Sequence, residues 1–343
     1  MGRDFNCKSF RRFVVASGLL ALVPLLLMVL WYAVADPMHL FGHGLRTVDD
    51  YYLPNKGQLT VNNFEVLNPT HNFDSFIIGS SLCVAYRLDD WKKYLPNDAC
   101  PYHFDFSAMR VRQMRLAVDY LAQNATMRHA LMVIDPVTLM WEGGTDNLPT
   151  LTPPALSENP AEWLTTHYTY FSHCFSRANI NGFVAELTGH PSFGDNRFPA
   201  DKTIAIYDPV KNEESDGSTD AEVEAAAREW MAANPLWRTS TPDWWASDSV
   251  YPPRLADHEA DFRRIAAVMD SLGTSYRLIL GPNHDNIQMN PADKEALREI
   301  FGTNFIDLSS SMAWITRVPA YYLDGFHYYP LVADSLMRAA YSR

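Results

Sequence analysis

The sequence predicts an α/β fold: a three-layer parallel sheet with helices on both faces, preceded by one N-terminal transmembrane helix. Three observations predict it. Short apolar runs alternate with helical patterns over residues 71–141 and again over 255–343, as in chains that build parallel sheets. A charge-free stretch, Phe13 to Ala35, comes before them and suits one helical crossing of a bilayer. The composition, 47% hydrophobic over 343 residues, is enough for a sizeable core without metal or disulfide staples.

Arg3, Lys8, Arg11 and Arg12 precede the charge-free run and Asp36 follows it, with Trp31 and Tyr32 where interfacial aromatics are expected. By the positive-inside tendency, residues 1–12 are a cytoplasmic N-terminus and 13–35 a membrane anchor. The globular part is then periplasmic or extracellular. Ala33-Val34-Ala35 resembles a processing site, so a cleaved signal peptide is the rival reading. The length of the run favours a retained anchor, and both readings export the rest. Net charge is −12, and removing the basic N-terminus makes the remainder more acidic, which argues against a nucleic-acid partner. Of the exported cysteines Cys83, Cys100 and Cys174, the first two are the nearer candidates for a bridge; three buried free thiols are the alternative. No cysteine spacing suggests zinc, and no cofactor is called for.

Residues 36–70, rich in Pro, Gly and Asn, read as a tether and irregular lead-in to one domain over 71–343. Its expected elements run in order: a strand at 74–78, a short helix or turn at 88–94, and a helix at 110–124. In that helix Val111, Met114, Val118 and Leu121 share a face. A strand at 130–134 follows, stopped by Asp135-Pro136. From about 142 to 254 the pattern breaks into a proline-rich, acidic insertion with one clear helix. Asp220 can cap that helix, and Val223, Ala227, Trp230 and Met231 line one side. Alternation then resumes with a helix at 256–272, a strand at 275–280, a helix at 291–301, a strand at 304–308 and a helix at 330–341.

The first strand runs into Gly79-Ser80-Ser81, at the sheet edge where α/β sites form. Gly-Ser-Ser is also an ordinary turn composition, and a serine hydroxyl is inert without a base. A base is available in Asp324-Gly325-Phe326-His327. There the carboxylate three residues earlier can hold the imidazole in the tautomer that deprotonates serine. A helix-capping Asp beside a surface His is the plainer reading of that pair alone.

Taken together, Gly-x-Ser after the first core strand and Asp-x-x-His before the last helix resemble the SGNH (GDSL-like) hydrolases. The similarity is greatest to their membrane-anchored envelope branch, which includes the D-alanyl transfer protein of teichoic acid and the alginate acetylation proteins. Asp74 to Ser81 matches that branch's first block and Asp324 to His327 its last. The resemblance spans residues 71–141 and 255–343, not the insertion. It implies an SGNH, flavodoxin-like fold, with Ser81 as nucleophile, His327 as base and Asp324 as orienting partner. It also implies an exported serine esterase or O-acyltransferase acting on a glycan or acylated polymer, beside a multi-spanning membrane acyltransferase. The second block, Asp105 to Arg110, lacks the family's glycine, which leaves Ala108 or Met109 as backbone oxyanion donors. The third block reads Asp135-Pro136-Val137-Thr138, without the family's Asn. Asn283 or His284, after a later strand, can substitute, or simply form a turn. A metal site from His284, Asp285 and His327 has no diagnostic spacing and is not expected. Trp244 and Trp245 are candidates for glycan contact, against the plainer reading of core aromatics. The missing blocks leave a second reading: a catalytically degenerate scaffold or glycan-binding subunit of an envelope assembly.

Overall fold

The computed structural model describes residues 7–36, 40–41, 44–45, 55–140, 148–176, 180, 206–245 and 250–342. It opens with α1 (Cys7–Ala35), which is long and apolar enough over Phe10–Val34 to cross a membrane. Arg3, residues 37–39, 42–43 and 46–54 of the expected tether, and parts of the insertion lie outside the described residues.

Residues expected to be irregular form α2 (Lys56–His71). Its Gly, Asn and Pro residues each cost about 0.5–3 kcal/mol of helix propensity. Against this, Leu59, Val61, Phe64 and Leu67 are buried, at about 1.5–3 kcal/mol each. Tertiary packing therefore wins. Asn55 caps the start by accepting from the Gln58 N–H, and Asn72 ends the helix at φ 53°.

Next come β1 (Ser75–Gly79), α3 (Leu88–Trp91), β2 (Pro101–Asp105), α4 (Val111–Asn124) and β3 (His129–Ile134). The insertion contributes α5 (Pro160–Cys174), the antiparallel pair β4 (Ile206–Asp208) and β5 (Glu213–Ser215), and α6 (Asp220–Ala233). The cap of α6 is Thr219, not Asp220: its hydroxyl accepts from the Glu222 N–H while the Glu222 carboxylate reaches back. Then follow α7 (Glu259–Leu272), β6 (Ser275–Leu280), α8 (Pro291–Phe301), β7 (Phe305–Asp307) and α9 (Pro330–Tyr341).

Five strands form one parallel sheet in the order β2-β1-β3-β6-β7. Side chains alternate across it, because successive strand residues point to opposite faces. Phe76, Ile78, Met132 and Leu280 pack with α2, α4, α7 and α8. Ile77, Leu131, Val133 and Ile279 pack with α3, α9 and the turn after β1. The sheet grows outward in both directions from β1 and β3, so the switch in winding falls between them, where α/β sites form.

Cys83, Cys100 and Cys174 are free. Cys83 follows β1 and Cys100 precedes β2, and these parallel neighbours put the two thiols at opposite edges of the sheet. A five-residue strand, about 3.3 Å per residue, lies between those edges.

The outer edge of β2 is covered by the β4–β5 hairpin. The His103 N–H donates to the Lys211 carbonyl, and Asn212 donates to the His103 carbonyl, Thr60 Oγ1 and Asp105 Oδ1. Beneath it Lys56 pairs with Glu214. Burial alone would discharge this lysine, but the carboxylates of Asp105 and Glu214 outweigh it and keep it charged. Burial pushes Asp105 up to about 7, against the pull of Lys56, whose ammonium is already paired. Burial also lowers His103, to about 4. Because the folded-state value of Asp105 is raised, its contribution to stability is full below the ordinary carboxylate range and is lost as pH rises toward 7. The Asp105→Asn chain is therefore expected to gain stability over wild type as pH rises from 4 to 8. Melting temperatures of both at the two ends of that range test it; a constant difference would refute it.

Candidate active site

β1 ends in Gly79 because nothing larger fits: a Cβ there would stand 2.5 Å from Cys83 Sγ and 2.7 Å from the Val133 carbonyl. The chain then turns into a short 3₁₀ segment, Ser81–Ala85. Ser80 caps this segment, its Oγ accepting from the Leu82 N–H at 3.4 Å, while Ser81 is half-buried and faces elsewhere.

At the far end of the chain, the turn Asp324–His327 is held closed by its own flanks. The Leu323 N–H donates to the His327 carbonyl (2.8 Å) and the Tyr329 N–H to the Tyr321 carbonyl (2.9 Å). Asp324 Oδ1 accepts from the main-chain N–H groups of Phe326 (2.6 Å) and His327 (2.7 Å), and Oδ2 meets His327 Nδ1 at 2.7 Å. Partial burial works against the charge of Asp324. The bonds from the His327 main chain and ring and from Phe326 outweigh it and hold the carboxyl below its ordinary range. An ionised acceptor at Nδ1 places the ring proton there, so Nε2 is the lone-pair nitrogen. Nε2 lies 2.8 Å from Ser81 Oγ. Ser81 and the Asp324–His327 pair, more than two hundred residues apart in sequence, thus form one hydrogen-bonded chain, and Ser80 stands outside it.

One contact that sequence reasoning missed joins the two halves. Tyr86 follows the serine segment and Tyr328 follows the histidine; their hydroxyls meet at 2.9 Å, both buried. Removing one hydroxyl leaves the other buried without its partner, at a cost of about 1–3 kcal/mol. Tyr328→Phe and Tyr86→Phe are each expected to lower the melting temperature, with the double variant less destabilised than the sum. Strict additivity in that cycle would show that the pair is not coupled.

The expected oxyanion donors are placed unevenly. The Phe106 N–H donates to the Gly79 carbonyl (3.1 Å), which seats the second block beside the serine turn. Ala108 adopts φ 50°, the left-handed conformation that a glycine would take without cost, so the turn keeps its shape despite the side chain. The Met109 side chain is buried in the core. Among the described residues, the N–H groups of Ser81, Ala108 and Met109 make no hydrogen bond. In the third block Asp135 is spent locally: its Oδ1 accepts from Thr138 N–H (2.9 Å) and Oγ1 (2.7 Å).

After β6, Asn283 has a buried Oδ1 without a hydrogen-bond partner among the described residues. His284 packs edge-on to Tyr322 (4.8 Å) and close enough to Asp324 to feel its charge; burial nonetheless lowers its basicity. Trp244 stacks on His284 at 6.0 Å and donates to the Thr316 carbonyl (3.0 Å). Trp245 lies under the Arg317 guanidinium at 4.1 Å. These contacts bring Trp244 of the insertion to the neighbourhood of the serine–histidine pair, and give Trp245 a structural contact. Phe326, inside the Asp–His turn, is 74% exposed. Among the described residues no cluster of three His, Cys, Asp or Glu is arranged to hold a metal.

No protein-family model matches the chain, and no curated protein matches its sequence.

Proposed function

We propose that the chain is a membrane-tethered serine acyl esterase or O-acyltransferase of the SGNH type, acting on an envelope or extracellular glycan. The observation that carries the reading is the unbroken hydrogen-bond chain from Ser81 Oγ through His327 to Asp324. The strand order supports it too: counted within the sheet alone it is 2-1-3-4-5, the flavodoxin-like order.

In this mechanism His327 Nε2 takes the hydroxyl proton as Ser81 Oγ attacks the carbonyl carbon of an acyl ester. The carbonyl π electrons move onto oxygen, which the N–H groups of Ser81 and of Ala108 or Met109 stabilise. Collapse expels the donor alkoxide, which recovers the proton from His327 and leaves an acyl-serine. A glycan hydroxyl or water, deprotonated by the same nitrogen, then takes the acyl group. Asp324 stays ionised throughout and stabilises the imidazolium. Asn283 remains the candidate for the third oxyanion donor that Asp135 cannot supply. Export by the N-terminal helix would put the site where envelope polymers emerge, beside a multi-spanning acyltransferase that supplies acyl groups.

A fluorophosphonate probe tests the reading, since it labels only an activated serine. Labelling of wild type and none of Ser81→Ala is the expected result. Labelling that persists in the variant would remove Ser81 from the role. No labelling of either would favour the degenerate scaffold.

A further inference from the structure

The outer end of α1 is not free. Tyr32 is buried against α5, its hydroxyl 3.1 Å from His167 Nδ1, with the Phe171 ring at 5.5 Å. Trp31 meets Phe175 at 5.4 Å. The remainder of the apolar span is exposed, so α5 meets α1 at its last turn and does not run along it.

Helical geometry divides α5 into three strips. His167, Tyr170 and Cys174 face inward and are buried. Beside them run Leu164, Tyr168, Phe171 and Phe175, a stripe at spacings of four, three and four. Leu164 is 64% and Tyr168 68% exposed, and neighbouring Trp163 is 47% exposed. The remaining face holds Glu162, Thr165, Thr169, Ser172 and His173, all polar. The open stripe is continuous with Trp31 and Tyr32 through the Phe171 and Phe175 contacts. It carries no lysine or arginine.

We propose that α5 lies in the interface of the membrane that α1 enters, its aromatic stripe seated among headgroups and upper acyl chains. This rests on α1 being the anchor and is independent of the catalytic reading. The contact point fixes the occupant: Trp31 and Tyr32 close the apolar span, at the level where interfacial aromatics sit, and α5 begins its open face there. A helix with one apolar aromatic face and one polar face lies in that plane. With no lysine or arginine on the helix, the attachment is apolar and insensitive to salt.

The test uses the full chain in phosphatidylcholine nanodiscs, with benzoylphenylalanine replacing one residue at a time and lipid adducts counted by mass spectrometry. Positions 164 and 168 probe the stripe. Position 20 probes α1. Position 272 is the aqueous control, exposed at the end of α7 beside the start of β6, on the edge of the sheet away from α5. Melting curves select variants that remain folded. Adducts at 164 and 168 are expected about tenfold above those at 272, with or without added salt. Adducts at 20 but only background at 164 and 168 would overturn the proposal and leave the anchor standing. Background at 20 as well would overturn both, and crosslinks from 164 or 168 to a second copy of the chain would replace lipid with protein as the occupant.

Discussion

Ser81→Ala is expected to lower acyl turnover by about 10⁴–10⁶, and His327→Ala by a similar factor. The double variant should lose little more than either single one, because the two side chains act as a unit through the 2.8 Å bond between Oγ and Nε2. Ser80→Ala should change turnover far less, since its hydroxyl only caps the serine segment through a long 3.4 Å bond. Asp324→Asn would leave the turn in place yet offer His327 Nδ1 a different partner, destabilising the productive tautomer. Steady-state rates on an aryl acyl ester for the four single variants and the double variant check this. Multiplicative losses in the double variant would show that serine and histidine do not act together.

Gly79→Ala has the largest expected effect on folding. Its new methyl would meet Cys83 Sγ at 2.5 Å and the Val133 main-chain oxygen at 2.7 Å. A side chain can yield, but the carbonyl belongs to β3, the neighbouring strand of the sheet. Relief requires parting β1 from β3 or displacing the serine turn, and overpacking of this kind costs about 1–3 kcal/mol or more. For a domain of this size that is a fall of roughly 2–10 °C in melting temperature. Cys83→Ala in the same chain removes one of the two collisions, so it should recover part of the loss and not all of it. Full recovery would mean that the strand carbonyl had room to move. Labelling by the fluorophosphonate should fall with stability, since the same turn carries Ser81.

The elements legible in the sequence were those whose side chains sort cleanly by polarity. β6, α8 and α9 have the expected bounds, because their apolar residues recur at the period of a strand or a helix and proline marks both helix starts. β2 was unreadable: it begins with Pro101 and buries His103, whose ring meets the Tyr86 carbonyl, and Asp105, which is reached by Asn212 of a hairpin more than a hundred residues away. α2 was hidden for the same reason, with Thr60, Asn62 and Asn63 buried beside Phe64. α5 escaped notice because its inward face is His, Tyr and Cys, not aliphatic. At the site, Ser81, Asp324 and His327 could be named from spacing and chain order. The Tyr86–Tyr328 contact could not, since two tyrosines 242 positions apart leave no local pattern. Nor could the conformation of Ala108, where a residue disfavoured in left-handed geometry adopts it all the same.

The burial of Tyr32 against α5 has a mechanical consequence. A domain held by its peptide linker alone would sweep a hemisphere whose radius grows with the length of slack chain. Here the end of α1 is clamped to the domain by a side-chain cluster as well, so lengthening the segment between Asp36 and Asn55 would add contour without adding reach. Arg112, in the first turn of α4, pairs with Glu162 of α5, and this same end of α4 faces the carboxyl edge of the sheet, where Ser81 sits. With α1 as the proposed membrane anchor, the clamp would set the serine at one altitude above the span, with freedom to spin and to drift in two dimensions but little to rise. In the proposed reaction, such a device would select among acceptors by their height, before any contact with their chemistry.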